Sequence, residues 1–212
     1  MTGQGHEELE QAIRRRLEQH DHAGAATLAI RGYGAEIFGF LVTFHRDEAH
    51  AAEVFSIVGE RLWRDLPAFR GDCSFRTWVY VLARRSSLNF RRDARRCEKR
   101  QRPLPEGSEL SAIVEQVRSE TASYLRSDRR ARFTALREAL APEDQMLLVL
   151  RVDRGLAWND LARVLRDGAE PLGEVDLKRE AARLRKRFQL LKEQLLEAGQ
   201  KAGVVSEGRA RK

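Results

Sequence analysis

The sequence predicts an all-α protein built as two small helical domains joined by a linker. Apolar residues recur every three or four positions over long stretches, the period of helices with one buried face. No alternating run is long enough to propose a strand, and only 5 prolines and 15 glycines interrupt 212 residues. The helical pattern lapses over 98–123, where KRQRPLPEGSELS brings a Pro-x-Pro pair and Gly107, which is linker chemistry.

Residues 1–22 read as an N-terminal arm carrying a short charged amphipathic helix over 7–20. From Ala23 to Phe44 the residues Leu28, Ile30, Ile37, Phe38, Phe40, Leu41 and Phe44 repeat at helical spacing. A further helix is expected over 48–66, with Ala52, Phe55, Val58, Leu62 and Trp63 on its inner face. Pro67 and Gly71 end it and leave 67–74 as a loop. Ser74 then suits the N-cap of a helix carrying Trp78, Val79, Leu82 and Leu88. The first domain is therefore 23–97 and the linker 98–129, with a marginal helix near 110–126. The second domain, 130–200, contains FTALREAL, then PEDQMLLVLRV with Pro142 at a helix start, then LAWNDLARVL, then a long helix over 177–196. Residues 201–212 mix Gly, Lys and Arg and are expected to be a disordered basic tail.

Charge narrows the partners. The chain carries a formal +7 with a pI near 9.9, concentrated in 84–102 and 178–192. Such asymmetry points to nucleic acid or another anionic surface. Between Arg84 and Arg102 nine basic residues face two acidic ones, a self-repulsion that a nearby anion relieves. Phe75, Trp78, Tyr80 and Phe90 stand in or beside that run. Cations neutralise phosphates and flat rings stack on unpaired bases, so this stretch suits a protein that grips DNA and holds a strand open. In the second domain, Leu177, Ala181, Leu184, Phe188 and Leu191 form a buried stripe, and Lys178, Arg179, Arg183, Arg185, Lys186 and Arg187 clothe the rest of the helix. Paired with the short helix Trp158–Leu165, it has the makings of a helix-turn-helix whose second helix enters the major groove. A solvated basic face remains the alternative. The connection between Leu165 and Leu177, residues 166–176, is eleven residues long, where such motifs use three or four.

Catalytic signatures are poor. There is no phosphate-cradling GxxxxGK[ST] and no GxSxG, and Cys73 and Cys97 lack the CxxC spacing of zinc sites. His45 and His50 lie five apart, off the i, i+4 spacing of helical metal pairs, and read as part of a surface charge cluster. No enzyme, cofactor or metal is expected. Two cysteines, an N-terminus without a signal-peptide core, and no run near the roughly 20 apolar residues that span a bilayer lead us to expect a cytoplasmic protein without membrane insertion.

The stretch GERLWRDLPAFRGDCSFRTWVYVLARRSSLNFRRDARR resembles the promoter-melting region of bacterial sigma factors of the sigma-70 family, specifically the two-domain extracytoplasmic-function (ECF) type. The shared elements are Leu62-Trp63, Phe69-Arg70-Gly71 and Ser74 through Trp78. The second domain adds Leu140-Ala141-Pro142, Leu147 through Leu150, and Leu161-Ala162 with Leu165, which resemble the family's minus-35-binding domain. The resemblance implies a region 2-like bundle and a region 4-like helix-turn-helix domain. It implies a non-enzymatic factor that binds RNA polymerase core, directs it to a promoter and opens the DNA. Polymerase contacts, to the beta-prime clamp helices, would fall on Glu53, Phe55, Ser56, Glu60 and Trp63, with a further contact to the beta flap. The minus-10 element would meet Phe75, Arg76, Trp78, Arg84, Arg85, Asn89, Arg91 and Arg92. The minus-35 element would meet Lys178, Arg179, Arg183, Arg185, Lys186 and Arg187. An anti-sigma protein covering these basic surfaces is implied by the family alone. The sequence departs from the pattern at His50-Ala51-Ala52-Glu53, where the family has an acidic start, and at Ala83-Arg84-Arg85, where it commonly has Ala-Arg-Asn. These departures keep open a stand-alone helix-turn-helix regulator that does not engage polymerase.

Overall fold

The computed structural model describes residues 3–94, 112–114, 116–117, 137, 139–166 and 172–201. All the regular structure among them is helical, so the fold is all-α. The chain divides into two units, Met1–Arg126 and Ser127–Lys212.

The described residues of unit 1 include the helices α1 (Gly3–Glu18), α2 (His22–His45), α3 (Glu48–Asp65) and α4 (Phe75–Ala94). Each junction has a local cause. The Asp21 carboxylate accepts the Gly24 N–H at 2.8 Å and starts α2, and Asp47 accepts the His50 N–H at 2.7 Å and starts α3. Arg46, with φ 55°, closes α2 in the left-handed region. Leu66–Ala68 makes a single 3₁₀ turn, and Gly71, at φ 78°, supplies the left-handed residue of the loop before α4. Ser74 caps α4 as its sequence position suggests, its Oγ accepting the Thr77 N–H at 3.1 Å.

α2 is the central element. Its Ile30, Tyr33, Ile37, Phe38, Phe40 and Leu41 are almost wholly buried, against Val54, Phe55, Val58 and Leu62 of α3 and Phe75, Val79 and Tyr80 of α4. By length and composition α2 could cross a membrane, contrary to the expectation that no run would come close. However, 61% of the qualifying window is buried inside the unit, as in any core helix.

Two boundaries differ from expectation. The N-terminal segment is no arm: Ile13 of α1 is fully buried, and Glu10 bonds Tyr33 of α2. Nor is 98–129 wholly linker. Ile113 and Val114 are buried helical residues, and Val117 lies so close to Gly34 of α2 that a Cβ there would come within 2.8 Å of its Cγ1. Apolar side chains at 113, 114 and 117 make one helical face, which explains the docking. Cys97, the rest of the linker and the tail 202–212 lie outside the described residues.

Unit 2 contains α5 (Pro142–Leu148), α6 (Trp158–Leu165) and α7 (Glu174–Lys201). Val149–Asp153 continues α5 as a π-helical turn, closed by the Arg154 N–H on the Val149 carbonyl at 3.0 Å. α7 begins at Glu174, three residues before the expected start at Leu177, because Glu174 and Asp176 suit the positive end of the helix dipole. Part of the long α6–α7 connection, 167–171, lies outside the described residues. Leu147, Leu150, Leu161, Ala162, Leu177, Ala181 and Leu184 form the unit's core. Trp158 joins α6 to α7 by an edge-on contact with Phe188 at 5.6 Å, with the guanidinium of Arg151 4.6 Å from its ring.

Candidate nucleic-acid interface

The basic side chains of α4 fall into two stripes on roughly opposite sides of the helix. Arg76, Arg84 and Arg91 are spaced by eight and seven, in line with Tyr80 and Ser87. Trp78, Arg85, Asn89 and Arg92 are spaced by seven, four and three.

The first stripe is engaged by the fold. Arg76 makes a fork-to-fork pair with Glu36 of α2 at 2.7 and 2.8 Å, both side chains about 15% exposed. Burial opposes the Arg76 charge, but the Glu36 bonds and charge outweigh it and hold its pKa above the usual value. Arg84 is 6% exposed and lies among the buried Ala83, Ser86 and Ser87. Arg91 donates to the Phe44 carbonyl at 3.0 Å, satisfying an orphan group at the end of α2, and lies 4.2 Å over the Phe44 ring. Phe75 is 1% exposed. The expectation that Phe75, Arg76, Arg84 and Arg91 present surfaces to a DNA strand therefore needs correction. Phe75 and Arg84 are core residues, and Arg76 and Arg91 fasten α4 to α2.

The second stripe faces outward. Arg85 and Arg92 are exposed, and Arg92 bonds the Asn89 side chain. The partly exposed Trp78 packs in a triad with Phe69 and Phe75 at centroid distances of 5.1 to 5.2 Å. α4 thus carries one partly exposed aromatic ring on the same stripe as two exposed guanidinium groups. The basic residues beyond Ala94 lie outside the described residues.

On α3, Glu53, Ser56, Glu60 and Trp63 share one outward stripe, and Trp63 is 50% exposed rather than on the inner face. Phe55 does not join them. It is fully buried, 5.6 Å from the Phe38 ring, and is withdrawn from the contact surface. The Ser56 hydroxyl donates to the Ala52 carbonyl at 3.2 Å.

His45 and His50 are not a simple surface cluster. Both rings lie against Phe90, at 5.7 and 5.4 Å. Burial, then the Arg91 and His50 charges, push the His45 pKa down to about 4.

In unit 2 the expected cations of α7 are mostly at the surface. Lys178, Arg179, Arg183, Arg185 and Lys186 are exposed. Several are held by acids of their own helix: Lys178 by Glu174 at 2.6 Å, Arg179 by Asp176, and Arg183 by Glu180 at 2.6 Å. Such exposed pairs are weak, so an incoming phosphate can displace them. Arg187 differs. It bonds Asp144 at 2.6 Å and Glu143 at 3.1 Å, fastening α7 to the start of α5, and these bonds raise its pKa against burial.

Sequence reasoning missed Glu10, Tyr33 and Glu36. The signal was present, because Glu36 is the one carboxylate in the 24-residue, mostly apolar α2, and a largely buried acid requires a partner.

Residues 29–97 match sigma-70 region 2. The match covers α2 from Ala29 onward, α3 and α4, including both stripes of α4 and the loop between α3 and α4. The chain is also similar to the RNA polymerase sigma-H factor of Pseudomonas aeruginosa, 25% identical over 162 residues, covering 75% of this chain and 83% of that relative. No solved structure matches it. The region 2 match and the relative together support a sigma-factor role in transcription initiation.

Proposed function

We propose that this protein is a cytoplasmic sigma factor of the ECF type that binds RNA polymerase core, carries it to a promoter and opens the DNA there. The region 2 match over α2–α4 is the observation that carries this reading. In it, the outward stripe of α3, Glu53, Ser56, Glu60 and Trp63, meets the beta-prime clamp helices. Trp63 supplies the buried aromatic anchor such interfaces favour. The outer stripe of α4 meets the minus-10 element: Arg85 and Arg92 neutralise phosphates, Asn89 reaches a base edge, and Trp78 offers a face to an unstacked base. In unit 2, Lys178, Arg179, Arg183, Arg185 and Lys186 meet the minus-35 duplex, while Arg187 positions α7 from behind.

Each set of cations alone binds DNA weakly and with steep salt dependence. Carrying both units on one chain raises the effective concentration of the second once the first is bound. An anti-sigma protein that covers the basic surfaces of α4 and α7, and a contact of unit 2 with the beta flap, complete this reading.

The test is co-purification with bacterial core polymerase followed by transcription from genomic fragments. A stable complex with discrete start sites is expected. DNA affinity without any polymerase binding would instead make the chain a stand-alone regulator, the reading that the departure from the family's acidic pattern at His50-Ala51-Ala52 favours.

A further inference from the structure

The start of α4 is held by a residue of α1. The first N–H groups of a helix have no partner within it. In α4 they are all accounted for. The Trp78 N–H donates to the Ser74 carbonyl and the Thr77 N–H to the Ser74 hydroxyl, both at 3.1 Å. The Phe75 and Arg76 N–H groups donate to the two oxygens of Glu10, at 2.9 and 2.8 Å. Glu10 lies 65 residues away in sequence, so this is a cap supplied in trans by another helix. A carboxylate at this position also suits the positive end of the helix dipole.

Glu10 is itself oriented. The Tyr33 hydroxyl donates to its Oε1 at 2.8 Å, and burial followed by that hydrogen bond raises the Tyr33 pKa, so the phenol stays a donor. Arg76 is thus fastened twice, its backbone by Glu10 and its side chain by Glu36. What Glu10 fixes passes outward through Phe75, whose ring supports both Phe69 of the loop and Trp78.

We propose that Glu10 is a positioning residue for strand opening, holding the start of α4 so that the loop and Trp78 meet the separating strand in a fixed pose. α1 is then part of the opening device rather than an appendage to it. This rests on the sigma-factor reading above, and its test is built to separate the two.

The full chain bearing Glu10→Gln, which keeps the side-chain shape and one acceptor, is compared with wild type and with Glu8→Gln, an exposed position on the same helix. Each is assembled with core polymerase on a duplex promoter and on the same promoter with its minus-10 region already unpaired. We expect Glu10→Gln to bind core as wild type does, to open the duplex at least tenfold more slowly, and to transcribe the pre-opened template within twofold of wild type. Amide exchange at Phe75 and Arg76 should accelerate at least tenfold in the variant. Equal losses on both templates would reduce Glu10 to a fold-stabilising role, and an unchanged rate on duplex would remove its role altogether. Either result overturns the inference while leaving the sigma-factor reading intact. A wild-type chain inert with core polymerase on both templates would overturn that reading and this inference with it.

Discussion

α4 and α7 are both basic helices, yet they use their arginines in opposite ways. On α7 the buried stripe is apolar, Leu177, Ala181, Leu184 and Leu191, and five of the six expected DNA-facing cations are exposed. Arg187 is recruited to hold the unit together through Asp144 and Glu143. On α4 one basic stripe is consumed by the fold, through Glu36, through burial of Arg84 and through the end of α2, while Arg85 and Arg92 on the opposite stripe are exposed. A run of cations in a sequence therefore does not by itself mark a binding surface. Their helical phase relative to the apolar stripe, and any lone acid on a neighbouring helix, decide which of them bind.

Substitutions on both helices test this contrast. The largest effect is expected at Arg76→Ala, which strands Glu36 in a mostly buried site and should destabilise unit 1 by about 3–5 kcal/mol in urea unfolding. Replacing both partners by apolar residues, Arg76→Met with Glu36→Leu, should recover most of that loss. Next, Arg84→Ala should cost about 2 kcal/mol of stability, whereas the adjacent Arg85→Ala should change stability by less than about 0.5 kcal/mol. If the two neighbours behaved alike, the two-stripe description of α4 would fail.

His45 gives a smaller, pH-dependent effect. Its pKa is near 4 in the folded chain against an ordinary value of 6.5, so between those values the unfolded chain binds more protons. The stability it contributes is present above pH 6.5 and lost as pH falls towards 4. Allowing for solvent around the half-buried ring, the loss is on the order of 1 kcal/mol. It should appear as a flatter stability profile over pH 4–6.5 in His45→Gln than in wild type. Smallest in stability is the triple change Lys178→Ala, Arg179→Ala, Arg183→Ala on α7, expected within about 0.5 kcal/mol of wild type. Its effect should appear instead in DNA binding, where the slope of log affinity against log salt should fall by about 0.9 for each phosphate no longer neutralised.

The helices themselves were legible because periodicity and caps are local. The expected 23–44 and 48–66 correspond to His22–His45 and Glu48–Asp65, and Ser74 caps α4 as its position suggested. What escaped was long-range. Nothing near Glu10 shows that it caps a helix starting at Phe75, and nothing near Val117 shows that it seats on Gly34. The π-helical turn at Val149–Asp153 departs from the helical period that the pattern assumes. Within the candidate site, Trp78, Arg85, Asn89, Arg92 and five of the six α7 cations are at least partly exposed. Phe55, Phe75 and Arg84 are buried instead, and aromatic and basic residue types alone do not distinguish a contact surface from a core. The phase of the helix carries that distinction. Arg84 lies one turn from Tyr80 and Ser87, on a stripe that packs inward.

The most direct test of the account is specific transcription by core polymerase with this chain, comparing wild type with the Arg85→Ala, Arg92→Ala double variant. We predict discrete start sites with wild type, and at least a tenfold loss with the variant despite unchanged thermal stability and core binding. Undiminished transcription by the variant would contradict the claim that the outer stripe of α4 is the surface that meets promoter DNA.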